Sequence, residues 1–247
     1  MPADSRDLPA VDVAAARRET LRYHRELYAE ARLDAQGTWL EQPHETVLEA
    51  IDRLDAHQAA SAYDLGAGVG RHTVVMGRRV PPGSIIAAVD VLPSALRRLR
   101  SNMRPTGVRA RTRCVDLVNF SFDGPAYLVV AFSAIEHLPG LSAIADLLGK
   151  IARAPTPGGI AAVGVLADRF ERAPGGERHP APLESAITSE AARWALGQVP
   201  AERALARPGR QLVVVLEVEP AAPRPGGARR TAGSARTQHH HCGAPPG

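Results

Sequence analysis

The chain has 247 residues, 45% hydrophobic and 23% charged, with a formal charge of +4 at neutral pH. A chain of this length buries about 70% of its unfolded surface, so it needs neither metal nor disulfide to fold. No window reaches the roughly 18 apolar residues of a membrane span. Two cysteines, Cys114 and Cys242, make no disulfide framework and point to a reducing cytoplasm. The charge excess lies in residues 220–247, where Arg224, Arg229, Arg230 and Arg236 meet no acid, so residues 1–219 are neutral on balance. With only 4% aromatic residues as well, a nucleic-acid substrate is not expected.

The N-terminal stretch MPADSRDLPA has no apolar run of signal-peptide length. From Val13 to about Asp34, Leu21, Leu27, Tyr28 and Leu33 recur among charged residues, which predicts an amphipathic helix ended by Gly37. A second helix is predicted from Pro43 to about Leu54, with Val47, Leu48, Ile51 and Leu54 on one face. Between them, GTWLEQP carries Trp39, which either packs the helices onto the body or covers a ligand. Residues 1–60 are therefore expected to form a helical cap and lead-in.

After residue 61 the rhythm changes to short apolar runs: AYDL, SIIAAVD, VRARTRCVD, YLVVAFS, GIAAVGVL and QLVVVLEVE. Helix-length stretches at Arg71–Val80, Ser94–Met103 and Leu141–Arg153 separate them. This alternation predicts an α/β domain over 61–219, with a largely parallel sheet covered by helices on both faces. Residues 167–210 are less regular, with a helix expected near Ser189–Leu196, and read as a substrate-binding insertion or a plain connector. From Pro220 the sequence is rich in Pro, Gly and Ala without periodicity, and a disordered basic tail is expected over 220–247. Its His239–Cys242 cluster is too weak a pattern for a metal site, and no metal is assigned.

DLGAGVGR, residues 64–71, turns directly from a strand into a helix. Glycine admits backbone angles closed to other residues and lets another molecule approach without a side chain between. Asp90 closes the next strand 20 residues after Gly70, and an acid there can accept hydrogen bonds from both hydroxyls of a ribose. Together they imply a ligand containing a nucleoside. The spacing Gly66-x-Gly68-x-Gly70, with Arg71 where a third fingerprint glycine would fall, argues against a dinucleotide, and no G-x-x-x-x-G-K-[ST] phosphate loop is present.

DLGAGVGR at 64–71, VD at 89–90, CVDL at 114–117, VVAFSAIEHLP at 129–139 and TPGG at 156–159 together resemble a class I S-adenosylmethionine-dependent methyltransferase over roughly residues 40–166. The resemblance implies a Rossmann-like seven-stranded sheet, ordered 3-2-1-4-5-7-6 with the seventh strand antiparallel. It implies S-adenosyl-L-methionine as cofactor and S-adenosyl-L-homocysteine as product. By position it places Asp64, Gly66, Ala67, Gly68 and Gly70 near the methionine part, Asp90 at the ribose, and Val91 beside the adenine. Asp116 falls at the adenine amino group with Leu117 adjacent, and Phe132 and Ser133 beside the cofactor. Compact small-molecule enzymes of the tellurite-resistance-like type are the most similar group.

The sulfonium methyl is already activated, so alignment and desolvation matter most. His137 is the candidate catalytic residue, as a base, a pocket contact or a structural donor. Glu136 beside it is expected at the surface. Tyr23, Tyr28 and Trp39 are candidates for a lid, and Arg71 for a contact with a carboxylate. The expected partner is a small-molecule substrate, for a monomer or homodimer with no membrane contact. A partner-binding protein of the same fold, or an adenosyl-cofactor enzyme of another reaction type, are the alternatives.

Overall fold

The computed structural model describes residues 13–54, 61–166, 170–172, 178–180 and 211–217. The expected insertion at 167–210, apart from two short strands, the helix near Ser189–Leu196 and the tail at 220–247 lie outside these residues.

Two helices precede the sheet: α1 over Val13–Glu30 and α2 over Glu45–Asp52. α1 stops four residues before the predicted end; the chain then turns, and Asp34 adopts a left-handed φ of 63°. Arg98 reaches across to the α1 terminus, donating to the carbonyls of Ala29 and Ala31 at 3.2 and 2.8 Å, which satisfies acceptors the helix itself leaves open. α2 begins two residues after Pro43 because the His44 side chain caps it, accepting from the Thr46 N–H at Nδ1.

Strands and helices then alternate: β1 (Ser61–Leu65), α3 (Arg71–Arg79), β2 (Ile85–Asp90), α4 (Pro93–Met103), β3 (Ala110–Cys114), β4 (Ala126–Phe132), α5 (Leu141–Arg153) and β5 (Pro155–Leu166). Two short strands, β6 (Phe170–Arg172) and β7 (Arg178–Pro180), pair only with each other, and β8 spans Gln211–Glu217. The main sheet runs β3-β2-β1-β4-β5-β8, parallel except for β8, which lies antiparallel to β5.

Side-chain alternation along the strands divides the core in two. Ala62, Ile86, Ala88, Leu128 and Val130 pack under α2, α3 and α4, while Leu65, Ala87, Val89, Val129 and Ala131 pack under α5. The mostly parallel sheet is thus covered by helices on both faces. Its carboxyl edge at β1, β2 and β4 carries the loops that build the site.

Candidate functional site

Gly66, Gly68 and Gly70 all hold left-handed backbone, with φ of 74°, 52° and 97°. The turn is fastened to the end of β2: the Gly66 and Ala67 N–H groups both donate to the Val89 carbonyl, at 2.8 and 2.9 Å. The Gly68 N–H donates to Asp90 Oδ2 at 2.8 Å, and the Leu92 N–H to Oδ1 at 2.8 Å. What crowds the turn is largely the protein itself. A Cβ on Gly66 would overlap the Ala134 Cβ, and one on Gly68 would come within 2.8 Å of the Tyr28 hydroxyl.

Asp90 is buried, and desolvation pushes its carboxyl above the usual range, opposed by the Leu92 and Gly68 N–H groups and by the His24 ring. A carboxylate offers about four lone-pair sites, of which these two backbone bonds use two. The other two are enough for the pair of hydroxyls on a ribose. Asp64 is deeper: burial lifts its carboxyl to about 6, opposed by Thr73, whose hydroxyl donates to Oδ2 at 2.6 Å. It anchors the first turn of α3 to β1.

α1 forms the roof of the pocket beyond the turn. Arg17, Thr20, Leu21, His24 and Tyr28 line it from that helix, one face at helical spacing. Arg17 Nη2 reaches both oxygens of Asp116, at 3.1 and 2.9 Å, and Arg17 Nε donates to the His137 carbonyl at 3.1 Å. Asp116 Oδ1 also accepts from the Val118 N–H at 3.1 Å. The His24 ring meets the His137 ring edge-on at 5.1 Å and lies 5.6 Å from Tyr28. Because the atom opposite His24 Nδ1 is the Thr20 carbonyl, at 3.0 Å, Nδ1 carries a proton. Burial raises the Tyr28 hydroxyl strongly, with the Asp90 and Asp64 charges adding to it, so it remains a neutral phenol.

Of the residues expected at a cofactor, Gly66, Asp90, Val91, Asp116, Leu117 and Ser133 line this one cavity, together with the catalytic candidate His137 and the lid candidate Tyr28. Asp64, Ala67, Gly68 and Gly70 stand behind it and shape the turn. Ser133 holds a left-handed φ of 53°, rare for a residue with a side chain and costly by roughly 1–2 kcal/mol. Phe132 points to the other face of the sheet, where its ring stacks at 4.6 Å from His44 and 5.5 Å from His72. Arg71 also leaves the cavity: its Nε donates to the Gln42 carbonyl at 2.6 Å, and its guanidinium lies 5.8 Å from the Trp39 ring. Tyr23 stands 57% exposed on the outer side of α1, and Trp39 is 47% exposed beside Tyr28. Glu136, expected at the surface, is fully buried. Arg17, Thr20 and His24 were not legible as site residues, although their spacing with Leu21 and Tyr28 marks one helix face. Among the described residues no cluster of His, Cys, Asp and Glu suits a metal ion, and no helix is long and apolar enough to cross a membrane.

The cavity measures about 90 Å³. Pockets that enclose small ligands run to about 300–1,000 Å³, so α1 sits close over the trench.

Residues 62–159 match the family model described as a methyltransferase domain. A curated relative, carboxy-S-adenosyl-L-methionine synthase of Hydrogenovibrio crunogenus, is 31% identical over 122 residues, 47% of this chain and 48% of the relative. The chain thus spans about half the length of the curated relative it matches. Among solved structures it is similar to DhpI with S-adenosylhomocysteine (TM-score 0.57, 16% identity, 84% of this chain and 98% of that one). It is also similar to the N-methyltransferase NodS of Bradyrhizobium japonicum with S-adenosylhomocysteine (TM-score 0.56, 13% identity, 81% and 98% covered). TehB of Haemophilus influenzae gives a TM-score of 0.56 at 11% identity, with 74% and 64% covered. At these identities the structural likeness is one of fold.

Proposed function

We propose that the chain transfers a methyl group from S-adenosylmethionine to a small-molecule acceptor and releases S-adenosylhomocysteine. The observation that carries this reading is Asp90, buried at the carboxyl edge, with each oxygen accepting one backbone N–H and the carboxylate lining the cavity. The match of residues 62–159 to a methyltransferase domain model supports it.

In this reading the bound cofactor supplies an activated methyl, and the protein's residues orient and desolvate it. Asp90 takes the ribose hydroxyls, Val91 and Leu117 flank the adenine, and Asp116 accepts from its amino group. The glycine turn, with Asp64 behind it, holds the methionine end, and Ser133 and His137 border the reacting methyl. Arg17 pairs with Asp116, and its side chain would have to give way for Asp116 to hold the adenine amino group. Tyr28 covers the glycine turn from α1. His137 is the residue placed to take a proton where the acceptor carries one, and His24 is its neighbour across the cavity. The antiparallel β8 beside β5 supports the full family order 3-2-1-4-5-7-6. A tellurite-resistance-like subtype is the finer assignment, supported by the DLGAGVGR and CVDL segments.

The test is transfer itself: purified protein is incubated with S-adenosylmethionine carrying a labelled methyl and a panel of small hydroxyl, amine and thiol acceptors, with the products weighed by mass spectrometry. Label in an acceptor together with S-adenosylhomocysteine is the expected result. The curated relative named as a carboxy-S-adenosylmethionine synthase favours a second reading, chemistry on the adenosyl compound itself. That would give a sulfonium product of altered mass and no methylated acceptor.

A further inference from the structure

The neutral balance of residues 1–219 conceals a sharp segregation of charge. Between Arg71 and Arg113 there are ten arginines and a single acid, the buried Asp90, a local charge of +9. The flanking described stretches are acidic: residues 13–54 hold six arginines against eight acids, and residues 114–166 hold Lys150 and Arg153 against four acids. Ordinary solubility needs signs interspersed rather than sorted.

The fold brings much of this charge to α3, α4 and the amino end of β3. On α4 and at its C-cap, Arg97, Arg100 and Arg104 follow at spacings of three and four and are exposed, a single stripe about 10 Å long. Like charges at such spacings destabilise a helix, and no acid lies between them. Arg100 Nη1 donates to Thr112 Oγ1 on β3 at 2.7 Å. Arg111 lies opposite Ala87 and so projects to the α5 side of the sheet; with Arg109, just before β3, it is exposed in a groove that Gly77 and Thr106 also line. The C-terminus of α3 adds the exposed Arg78 and Arg79. Of these, Arg79 is paired, with Asp52 at 2.7 Å. The side chains of Arg78, Arg97, Arg104, Arg109 and Arg111 have no hydrogen bond or ion pair among the described residues.

A charged edge strand is a known guard against sheet-to-sheet aggregation, and β3 ends the described sheet, which accounts for Arg109 and Arg111. It does not account for Arg78, Arg97 and Arg104 on the helices. Arg78, Arg104 and Arg109 lie at the amino ends of the strands, opposite the carboxyl edge that carries the glycine turn and Asp90. The charged side is therefore separate from the cavity.

We propose that the arginines of α3 and α4, continued around the amino edge of the sheet by Arg109 and Arg111, dock the phosphodiester backbone of a nucleic acid. Guanidinium groups bind phosphates in a bidentate way that needs no base contact. Among the described residues this surface offers Ile85, in the groove with Arg109 and Arg111, as its one large exposed apolar residue and no exposed aromatic ring, which suits neither insertion into a lipid surface nor the apolar centre of a protein interface. It also predicts binding without sequence preference. The nucleic acid is a docking partner here, while the acceptor of the proposed transfer remains a small molecule in the opposite cavity.

The test uses the full chain and fluorescein-labelled 20-nucleotide RNA hairpin and duplex DNA, read by anisotropy from 50 to 300 mM KCl. Two variants, Arg97→Gln/Arg100→Gln/Arg104→Gln and Arg78→Gln/Arg109→Gln/Arg111→Gln, are compared with one carrying Gln at Arg224, Arg229, Arg230 and Arg236. Thermal melting checks that each folds. The expected result is saturable, salt-dependent binding whose slope of log K against log salt falls by about 0.7–0.9 for each face arginine removed. Each triple variant should lose tenfold or more in affinity at 100 mM KCl, while the tail variant keeps most of it. Which probe binds more tightly tells RNA from DNA. Absence of salt-dependent binding, binding unchanged in both triple variants, or binding to phosphatidylserine vesicles and to neither probe would overturn the proposal.

Discussion

Gly66 is the residue on which the geometry of the turn depends most sharply. Its φ of 74° costs a side-chain-bearing residue roughly 1–2 kcal/mol. Its missing Cβ would overlap the Ala134 Cβ, and such overpacking costs about 1–3 kcal/mol. Gly66→Ala is therefore expected to lose about 2–5 kcal/mol, a large share of the 5–15 kcal/mol by which a domain is stable. Ala134→Gly removes the opposing methyl. Ala134 has φ −135° and ψ −37°, outside the left-handed region, so that change alone costs only about 0.4–1 kcal/mol through added chain entropy. Equilibrium unfolding in urea of the two single variants and the double variant separates the contributions. The double variant should recover the overlap, a coupling of about 1–3 kcal/mol, and keep the backbone cost. Strictly additive effects would refute the claim that Ala134 is what presses on the turn, and a harmless Gly66→Ala would refute the backbone argument too.

Asp90→Asn leaves one of two buried N–H groups, from Gly68 or Leu92, facing an amide N–H; unfolding in urea should show a loss of about 1–3 kcal/mol without any cofactor. Binding of S-adenosylhomocysteine should weaken beyond that, whereas unchanged stability would contradict the hydrogen-bond account. Arg17→Ala removes a partly exposed pair worth about 0.2–1 kcal/mol. Stopped-flow binding of S-adenosylhomocysteine should be faster and up to about fivefold tighter; weaker binding would mean that Arg17 holds the cofactor instead of yielding to it. His72 is buried and neutral, its pKa pushed down to about 3 chiefly by desolvation. The unfolded chain binds that proton below about 6.5, so this group adds stability above pH 6.5 that is lost as pH falls towards 3. Asp64, raised to about 6, works the other way, its contribution growing as pH falls from 6 to about 4. Between pH 7 and 5, His72→Gln should spare the protein ~2 kcal/mol of acid destabilisation relative to the parent, as judged by urea midpoints. Parallel pH profiles for the two proteins would contradict this.

The parts of the site that were legible in the sequence are those written in short-range patterns. A strand, a glycine turn and a helix follow one another within residues 61–79, and Asp90 closes the adjacent strand, so local chemistry fixes their relation. The α1 roof is different. Arg17 and Asp116 stand 99 positions apart, and nothing near either residue signals the other. On a helix, arginine and histidine also read as a solvated face until a partner surface is known. Phe132 shows a subtler limit. It shares the parity of Leu128 and Val130 and so belongs to the α2–α3 side, while the left-handed Ser133 turns the chain back towards the cavity. Charge behaves likewise: a sum over residues 1–219 says neutral, and the fold shows which arginines of the 71–113 run stand exposed together on α3 and α4.

The central claim is that the cavity under α1 takes an adenosyl cofactor. Titration calorimetry of the full chain with S-adenosylmethionine and S-adenosylhomocysteine tests it most directly. The account predicts saturable one-to-one binding of both compounds, weakened in Asp90→Asn; heat no greater than dilution for either compound at millimolar concentration would contradict it.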